Sequence, residues 1–330
     1  MYYKRYELQW RFSLFFCASI LAGAFGGLFA YALAHMAGIG GYNGWRWIFI
    51  IEGLLTVAVG LASKWMVVDW PETAKFLTED ERALLIARLR VDGGAATMNR
   101  LDKAAAKRVF GDWKIYTGIV MYLGVVNTGY ATSFFIPTII KELGYTSTAA
   151  QVRSIPIFIV ATICALIVAW TTDRLRHRYS FTLLGVCVAS IGYVLLLCQS
   201  RIPVGVRYFA IFLVTAGGYM TQPVTLAWVN NCMGGHYKRS VSAAMMVGFG
   251  NCGGLVASNV FIAKETPRYR TGYGTSLGLL WVCAIACTVL FFGVRVENRK
   301  RDRGERDHRL DNAAEADNLG DDHPHFRFGY

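Results

Sequence analysis

Eight long segments of this chain are almost free of charged side chains, and they constrain its fold more than any other feature. Seven contain no charged residue, and the eighth is interrupted only by Glu52. They cover residues 12–34, 47–63, 115–140, 154–172, 179–200, 208–235, 240–263 and 271–294. A helix needs about 20 apolar residues to cross a bilayer, and lipid offers no partner to an unpaired backbone amide. The sequence therefore predicts an all-α membrane protein with eight transmembrane helices.

The remaining charges are distributed unevenly between the two sides of the membrane. If the N-terminus is cytoplasmic and the helices alternate, the inner segments hold 26 Lys and Arg residues and the outer segments hold 8. Cytoplasmic loops carry such an excess, so both termini are predicted to be cytoplasmic. The basic residues then face the anionic lipids of the inner leaflet, and the net charge of +12 requires no nucleic-acid partner.

One long inner connection, from about 69 to 112, interrupts the series of helices. Asp69 and Pro71 end the preceding helix, and Thr78 with Glu81 forms a capping box before an amphipathic surface helix. The segments GGAATMNR and KAAAKR that follow look like a flexible basic linker. The final 35 residues are charged and poor in apolar side chains, which predicts a disordered tail.

A glycine pattern indicates an internal repeat. Gly23, Gly26 and Gly27 in the first helix are matched by Gly250, Gly253 and Gly254 in the seventh, at a constant offset of 227 residues. Chance is the competing explanation, because glycine is common at close helix contacts. A true repeat would make the first two helices the end of one six-helix half and the remaining six a complete second half. Four helices would then be missing before Met1.

Several motifs carry a resemblance to a known family. They are GWRWIFIIEGLLTVAVG (44–60), DWPETAKFLTEDERALLIARL (69–89), TTDRLRHR (171–178), NNCMGGHYKR (230–239) and LGDDHPHFRF (319–328). The chain resembles the fungal allantoate and nicotinate permeases, in the anion:cation symporter branch of the major facilitator superfamily. The resemblance implies a partial twelve-helix fold that contains the fifth to twelfth helices.

The resemblance also implies an organisation and a function. Residues 1–68 would end the N-terminal half, 69–112 would be the cytoplasmic connector, 113–295 the six-helix C-terminal half and 296–330 the cytoplasmic tail. The implied function is proton-coupled uptake of a small organic anion, such as allantoate, nicotinate, pantothenate or a similar carboxylate, by alternating access in the plasma membrane. Lipids are the other expected partners, and the oligomeric state is left open.

Polar residues within the helices are candidates for substrate binding. They are Asn127, Thr128 and Tyr130 in the third helix, Gln222 in the sixth and Asn251 in the seventh. By resemblance the third helix lines the cavity, and its VVNTGY segment carries a glycine for a helix break of the kind found at transport sites. The alternative is that these side chains only hydrogen-bond neighbouring helices.

Two ionisable residues fall within the second helix. Glu52 is the one acid inside a predicted span, and such acids usually face an interior partner or a water-filled path. It is a candidate for proton coupling, with an ion pair to Arg46 as the structural alternative. Lys64 lies near the inner boundary, where its side chain can extend to the headgroups without a functional role.

Two short inner loops are candidates for gating. The first holds Asp173, Arg174, Arg176 and Arg178, and by resemblance its D-R-x-x-x-R pattern is a cytoplasmic gating motif. The second holds Lys238 and Arg239. The alternative is positive charge that serves topology alone.

An enzymatic function finds little support in the sequence. There is no HExxH, no P-loop and no GxSxG in a suitable context, and no cofactor or metal site is predicted. Two other interpretations stay open: a membrane scaffold or sensor derived from a transporter, and an incomplete gene model of a full-length transporter.

Overall fold

The computed structural model describes residues 2–3, 5–93, 98, 100, 102–311 and 318–329. Within these residues the regular structure is helical throughout. The α-helices are α1 (Arg5–Ala34), α2 (Gly44–Met66), α3 (Glu79–Gly93), α4 (Lys103–Phe110), α5 (Trp113–Glu142), α6 (Ser147–Leu175), α7 (Arg178–Leu197), α8 (Val204–Asn231), α9 (His236–Gly250), α10 (Cys252–Val260) and α11 (Arg270–Asp302). Short 3-10 turns lie at Ile39–Gly41, Gln199–Arg201, Ala263–Glu265, Asp307–Leu310 and Gly320–Asp322.

The eight predicted transmembrane helices are confirmed. Eight segments of the described chain are long and apolar enough to span a membrane, and they coincide with the charge-free runs. Six of them are the single helices α1, α2 and α5 to α8, the seventh is formed by α9 and α10 together, and the eighth is α11.

The helix break lies in a different span from the predicted one. Helix α5 continues from Trp113 to Glu142, so the break expected beside Gly129 is absent. The seventh span is interrupted instead at Asn251, which ends α9 and begins α10. The Asn251 side chain donates a hydrogen bond to the carbonyl of Val247 at 2.7 Å. The backbone N–H of Asn251 bonds the same carbonyl at 3.0 Å, so α9 is regular up to this residue and the interruption lies directly after it.

Glycines allow a close contact between α7 and α8. A Cβ atom on Gly192 would lie 2.7 Å from the carbonyl oxygen of Ala210, and one on Gly217 would lie 2.5 Å from the amide nitrogen of Ala189. Small residues at such positions let two backbones approach and gain packing energy in lipid.

The first two helices differ in how much of their surface is covered. Helix α1 packs on α6, where Gly27 lies against Gln151. Helix α2 has no buried residue, and its main helix contact is with α1. One whole face of α2 is therefore open to lipid or to a further protein segment.

The connector is more ordered than the sequence predicts. The capping box is confirmed, because Glu81 accepts a hydrogen bond from the Thr78 amide at 3.0 Å and the Glu81 amide donates to the Thr78 hydroxyl. The prediction of a flexible linker is wrong for Lys103–Phe110, because these residues form the helix α4. Asp102 caps this helix, and its side chains Ala105 and Val109 are buried. Residues 94–97, 99 and 101 of the predicted linker lie outside the described residues.

The prediction of a disordered tail is wrong for residues 296–311 and 318–329. Helix α11 extends to Asp302, and Leu319, Phe326 and Phe328 are buried against the bundle. The average composition of the tail predicts disorder, although residues 318–329 contain apolar side chains that are buried and acids that pair with lysine and arginine. Residues 312–317 lie outside the described residues.

Candidate functional site

Four polar side chains meet midway along the helices and form what we call the polar face: Tyr122, Tyr130, Gln222 and Asn251. The Tyr130 hydroxyl donates to the Asn251 side-chain oxygen at 3.1 Å. The Gln222 amide lies 3.5 Å from the Tyr122 hydroxyl. Tyr130, Gln222 and Asn251 are half-buried, so the structure brings together three of the five predicted substrate-binding residues on an accessible surface of α5, α8 and the α9–α10 junction.

The other two predicted residues point between helices. Asn127 and Thr128 are fully buried, and the Asn127 amide donates to the Ser276 hydroxyl of α11 at 2.9 Å. The Tyr193 hydroxyl of α7 lies beside Thr128 and Ser276. This arrangement matches the alternative weighed for these residues, in which polar side chains hold neighbouring helices together.

Glu52 and Lys64 both lie on the open helix α2 and are exposed. The expected ion pair between Glu52 and Arg46 is not formed. Arg46 instead lies over the rings of Tyr42 and Trp45, at 5.6 and 5.5 Å from their centroids. Within the described residues, Glu52 has no cationic partner.

Asp173 connects the end of α6 to the beginning of α1. Its carboxylate accepts a hydrogen bond from the Trp10 amide at 3.1 Å, and the positive charges of Arg11 and Arg178 act on it. The neighbouring Arg174 lies over the Trp170 ring. Asp173 thus links the end of α6 to the first turns of α1.

Lys238 belongs to a buried group of four charges, which we call the charge cluster: Asp112, Lys114, Lys238 and Asp321. The Lys238 ammonium lies 2.6 Å from Asp112 and 2.8 Å from Asp321, and the Lys114 ammonium lies 2.8 and 3.0 Å from the same two carboxylates. Each charge therefore has two opposite partners, and the group is neutral as a whole. A buried charge is tolerated only when it is paired in this way.

The charge cluster joins α5 and α9 to the tail. Burial alone would raise the pKa of Asp321, but the ammonium groups of Lys114 and Lys238 outweigh it and hold the pKa at about 2. The sequence pattern indicates Lys238 as a gating candidate but none of its three partners. The signal lay in the LGDDHPHFRF motif, where an acidic pair stands among apolar residues.

Backbone contacts hold the rest of the tail in place. Arg301 of α11 donates to the carbonyls of His323 and Phe326, and Asn298 accepts from the Phe328 amide at 3.0 Å. The Trp228 indole donates to the Gly329 carbonyl at 3.0 Å. The predicted gating residue Arg239 donates to the carbonyl of Met233 at 3.3 Å, beside this docking site.

Comparisons with known proteins show which family this chain belongs to. The family model described as the Major Facilitator Superfamily matches residues 1–258. An uncharacterized transporter of Schizosaccharomyces pombe is 33% identical over 310 residues, which are 93% of this chain and 62% of the relative. The high-affinity nicotinic acid transporter of Saccharomyces cerevisiae is 30% identical over 99% of this chain and 61% of its own length.

A third relative is the major facilitator-type transporter hxnP of Emericella nidulans, which is 30% identical over 92% of this chain and 61% of the relative. The chain thus spans about three fifths of the length of these curated relatives. The predicted resemblance is confirmed by the family model, which covers more than half of the chain. This multi-pass membrane protein belongs to the Major Facilitator Superfamily, a family of transporters and not of enzymes.

Proposed function

We propose that the full-length protein takes up a small organic anion, in particular a carboxylate, together with protons and by alternating access. The observation that carries this proposal is the polar face. Its tyrosine hydroxyls and its Gln222 and Asn251 amides are hydrogen-bond donors, and they lie midway along three predominantly apolar spans. Donors at this depth suit a carboxylate that must leave water to cross the membrane.

The similarity to a nicotinic acid transporter supports a carboxylate as the substrate class, since nicotinic acid carries one. Midplane sites of such transporters lie between two helical halves. The polar face belongs to one half, and the open face of α2 marks where further helices would pack. We therefore assign the activity to the longer protein, with the plasma membrane as its site and both termini in the cytoplasm.

Glu52 is the proposed proton carrier. Acids within spanning helices are costly and tend to face a partner or a water-filled path. Glu52 is exposed on the uncovered helix α2, so a segment that packs on this helix would bury it. Its protonation would then depend on which side of the membrane the cavity opens to.

Asp173 and the charge cluster are the proposed gating elements, together with Arg174, Arg178 and Arg239. Each of these residues lies at the ends of helices and not within the polar face. Charge pairs that form in one conformation and part in the other bias the equilibrium between the two states.

Uptake measurements test this function. The chain is fused behind the upstream part of the Saccharomyces cerevisiae relative, and yeast lacking its own nicotinate uptake is supplied with labelled nicotinate at pH 5 and pH 7.5. We expect uptake by the fusion, faster at pH 5. Losing one donor to a charged group costs about 1.5 to 3 kcal/mol, so Asn251→Ala should weaken apparent affinity about tenfold or more.

Matched variants separate binding from folding and from coupling. Cys187→Ser changes an exposed side chain of α7 and should leave uptake unchanged at equal surface expression. Glu52→Gln should abolish the pH dependence, whereas Glu72→Gln, an exposed acid of the connector, should retain it. Uptake that is insensitive to Asn251→Ala would contradict the role of the polar face.

A further inference from the structure

A large basic cavity lies at the end of the bundle where α5 begins and α11 ends. It has a volume of about 890 Å³ and is bounded by α4, the start of α5, the last turns of α11 and the docked tail. This position is distant from the polar face, which lies midway along the same helices. The cavity is therefore separate from the proposed transport site.

The charges that line this cavity are strongly unbalanced. Eight lysine and arginine side chains face three acids, and each acid is already neutralised by neighbours. Glu297 pairs with Arg306 at 2.7 Å, Asp322 pairs with Arg309 at 3.3 Å, and Asp112 belongs to the charge cluster. Lys114 and Lys238 are in turn neutralised by Asp112 and Asp321. The surplus positive charge therefore lies among the other six cations, which face two carboxylates in the described lining.

Two of these cations are uncommitted. The ammonium groups of Lys107 on α4 and Lys300 on α11 make no hydrogen bond or ion pair with the described part of the chain. Both line the same cavity from opposite helices. Lysine is a common phosphate ligand that acts as a mobile point charge, so both side chains are candidate ligands for a phosphate group in this cavity.

An apolar rim adjoins the cations. Trp113 and Phe292 line the cavity and are 42% and 55% exposed, and they lie on the spanning helices α5 and α11. The Trp113 ring rests against Gly293, where a Cβ atom would lie 2.3 Å from it. Tryptophan favours the membrane interface. A soluble phosphate needs no such rim, whereas a lipid presents a phosphate and acyl chains to adjacent surfaces.

We propose that this cavity binds the phosphate group of an anionic phospholipid, with Lys107 and Lys300 as the headgroup ligands and Trp113 and Phe292 against the acyl chains. The chemistry recognised is a phosphate with one or two negative charges. A bound lipid at this place would hold α4 and the docked tail to the membrane surface.

Native mass spectrometry of the 330-residue chain in detergent tests the proposal. The probes are phosphatidic acid, phosphatidylcholine and inorganic phosphate. We expect phosphatidic acid to be retained and phosphatidylcholine to be lost. Each lysine near an anionic lipid contributes about a factor of five in binding, so the double variant K107Q/K300Q should bind phosphatidic acid about 30-fold more weakly.

Two further variants make the result specific. K64Q/K75Q removes two exposed lysines outside the cavity and should retain wild-type binding, and K107R/K300R should restore most of it. Equal retention of phosphatidic acid by wild type and K107Q/K300Q would overturn the site. Displacement of phosphatidic acid by inorganic phosphate at comparable concentration would refute the proposal that the ligand is a lipid and would identify a soluble phosphate as the ligand.

Discussion

Replacing Asp321 with asparagine should release the tail from the helical bundle. The new amide would resemble the protonated acid in shape but would leave Lys114 and Lys238 with the single carboxylate of Asp112. The pKa of Asp321 is held at about 2, against its usual 3.8, and each pKa unit corresponds to 1.36 kcal/mol. The charged carboxylate therefore stabilises the docked tail by about 2 to 3 kcal/mol relative to its neutral form.

Hydrogen exchange of residues 318–329, followed by mass spectrometry at pH 7, measures this loss directly. The amide of Phe328 is protected by Asn298, and it exchanges only when the tail opens. We expect exchange about 30- to 150-fold faster in Asp321→Asn. The control is Asp322→Asn, because within the described chain Asp322 has a single, half-buried partner in Arg309, whereas Asp321 has two buried partners, so we expect a smaller effect.

The pH dependence has a definite sign. The folded pKa of Asp321 is lowered, so its contribution is complete above pH 3.8 and is lost as the pH falls towards 2. The unsubstituted tail should therefore become less protected, after correction for intrinsic exchange, only in that window. Equal exchange rates for Asp321→Asn and Asp322→Asn at pH 7 would refute the view that the charge cluster holds the tail.

Three other predictions follow from the packing and the topology. Gly192→Ala should destabilise the bundle by about 1 to 3 kcal/mol, seen as a lower Tm, because the new methyl would lie 2.7 Å from a carbonyl of α8; Gly205→Ala, with open space around it, should be neutral. In the full-length fusion, Asp173→Asn should lower uptake at similar surface expression, and unchanged uptake would favour a purely topological role. Cysteine substitutions should be labelled from outside the cell at Gly40 and from inside at Lys75, and the reverse result would invert the proposed orientation.

The spans were predictable because lipid removes most alternatives: a charge-free run of about 20 residues has only one way to satisfy its backbone. The capping box of Thr78 and Glu81 was predictable because both partners are three residues apart. Charge pairs between distant segments were not predictable from the sequence, because partners such as Lys114 and Asp321 are separated by 207 positions. A composition average over the last 35 residues favoured disorder and hid the few side chains that dock.

The position of the helix break was also not predictable from the sequence. The glycine of VVNTGY predicted a break in α5, whereas the structure has its break at Asn251. A side-chain bond to the backbone does not decide the position alone, because Thr132 makes two such bonds in the uninterrupted α5. For the five polar residues the sequence left substrate binding and helix packing both open, and contacts with other helices distinguish them: Asn127 bonds Ser276 of α11, whereas Asn251 lies on the polar face.

The charge cluster can be completed only at the end of protein synthesis, because Asp321 is the last of its residues to be made. Protein chains are synthesised from the N-terminus, and early segments fold first. Lys114 and Lys238 enter the membrane region 207 and 83 residues before Asp321 is made, so two ammonium groups face one carboxylate until the last part of the chain leaves the ribosome. A ribosome that stalls before position 321, or a nonsense codon there, would leave an inserted bundle with an uncompensated positive charge at its edge, a state that quality-control proteases could distinguish from the finished protein.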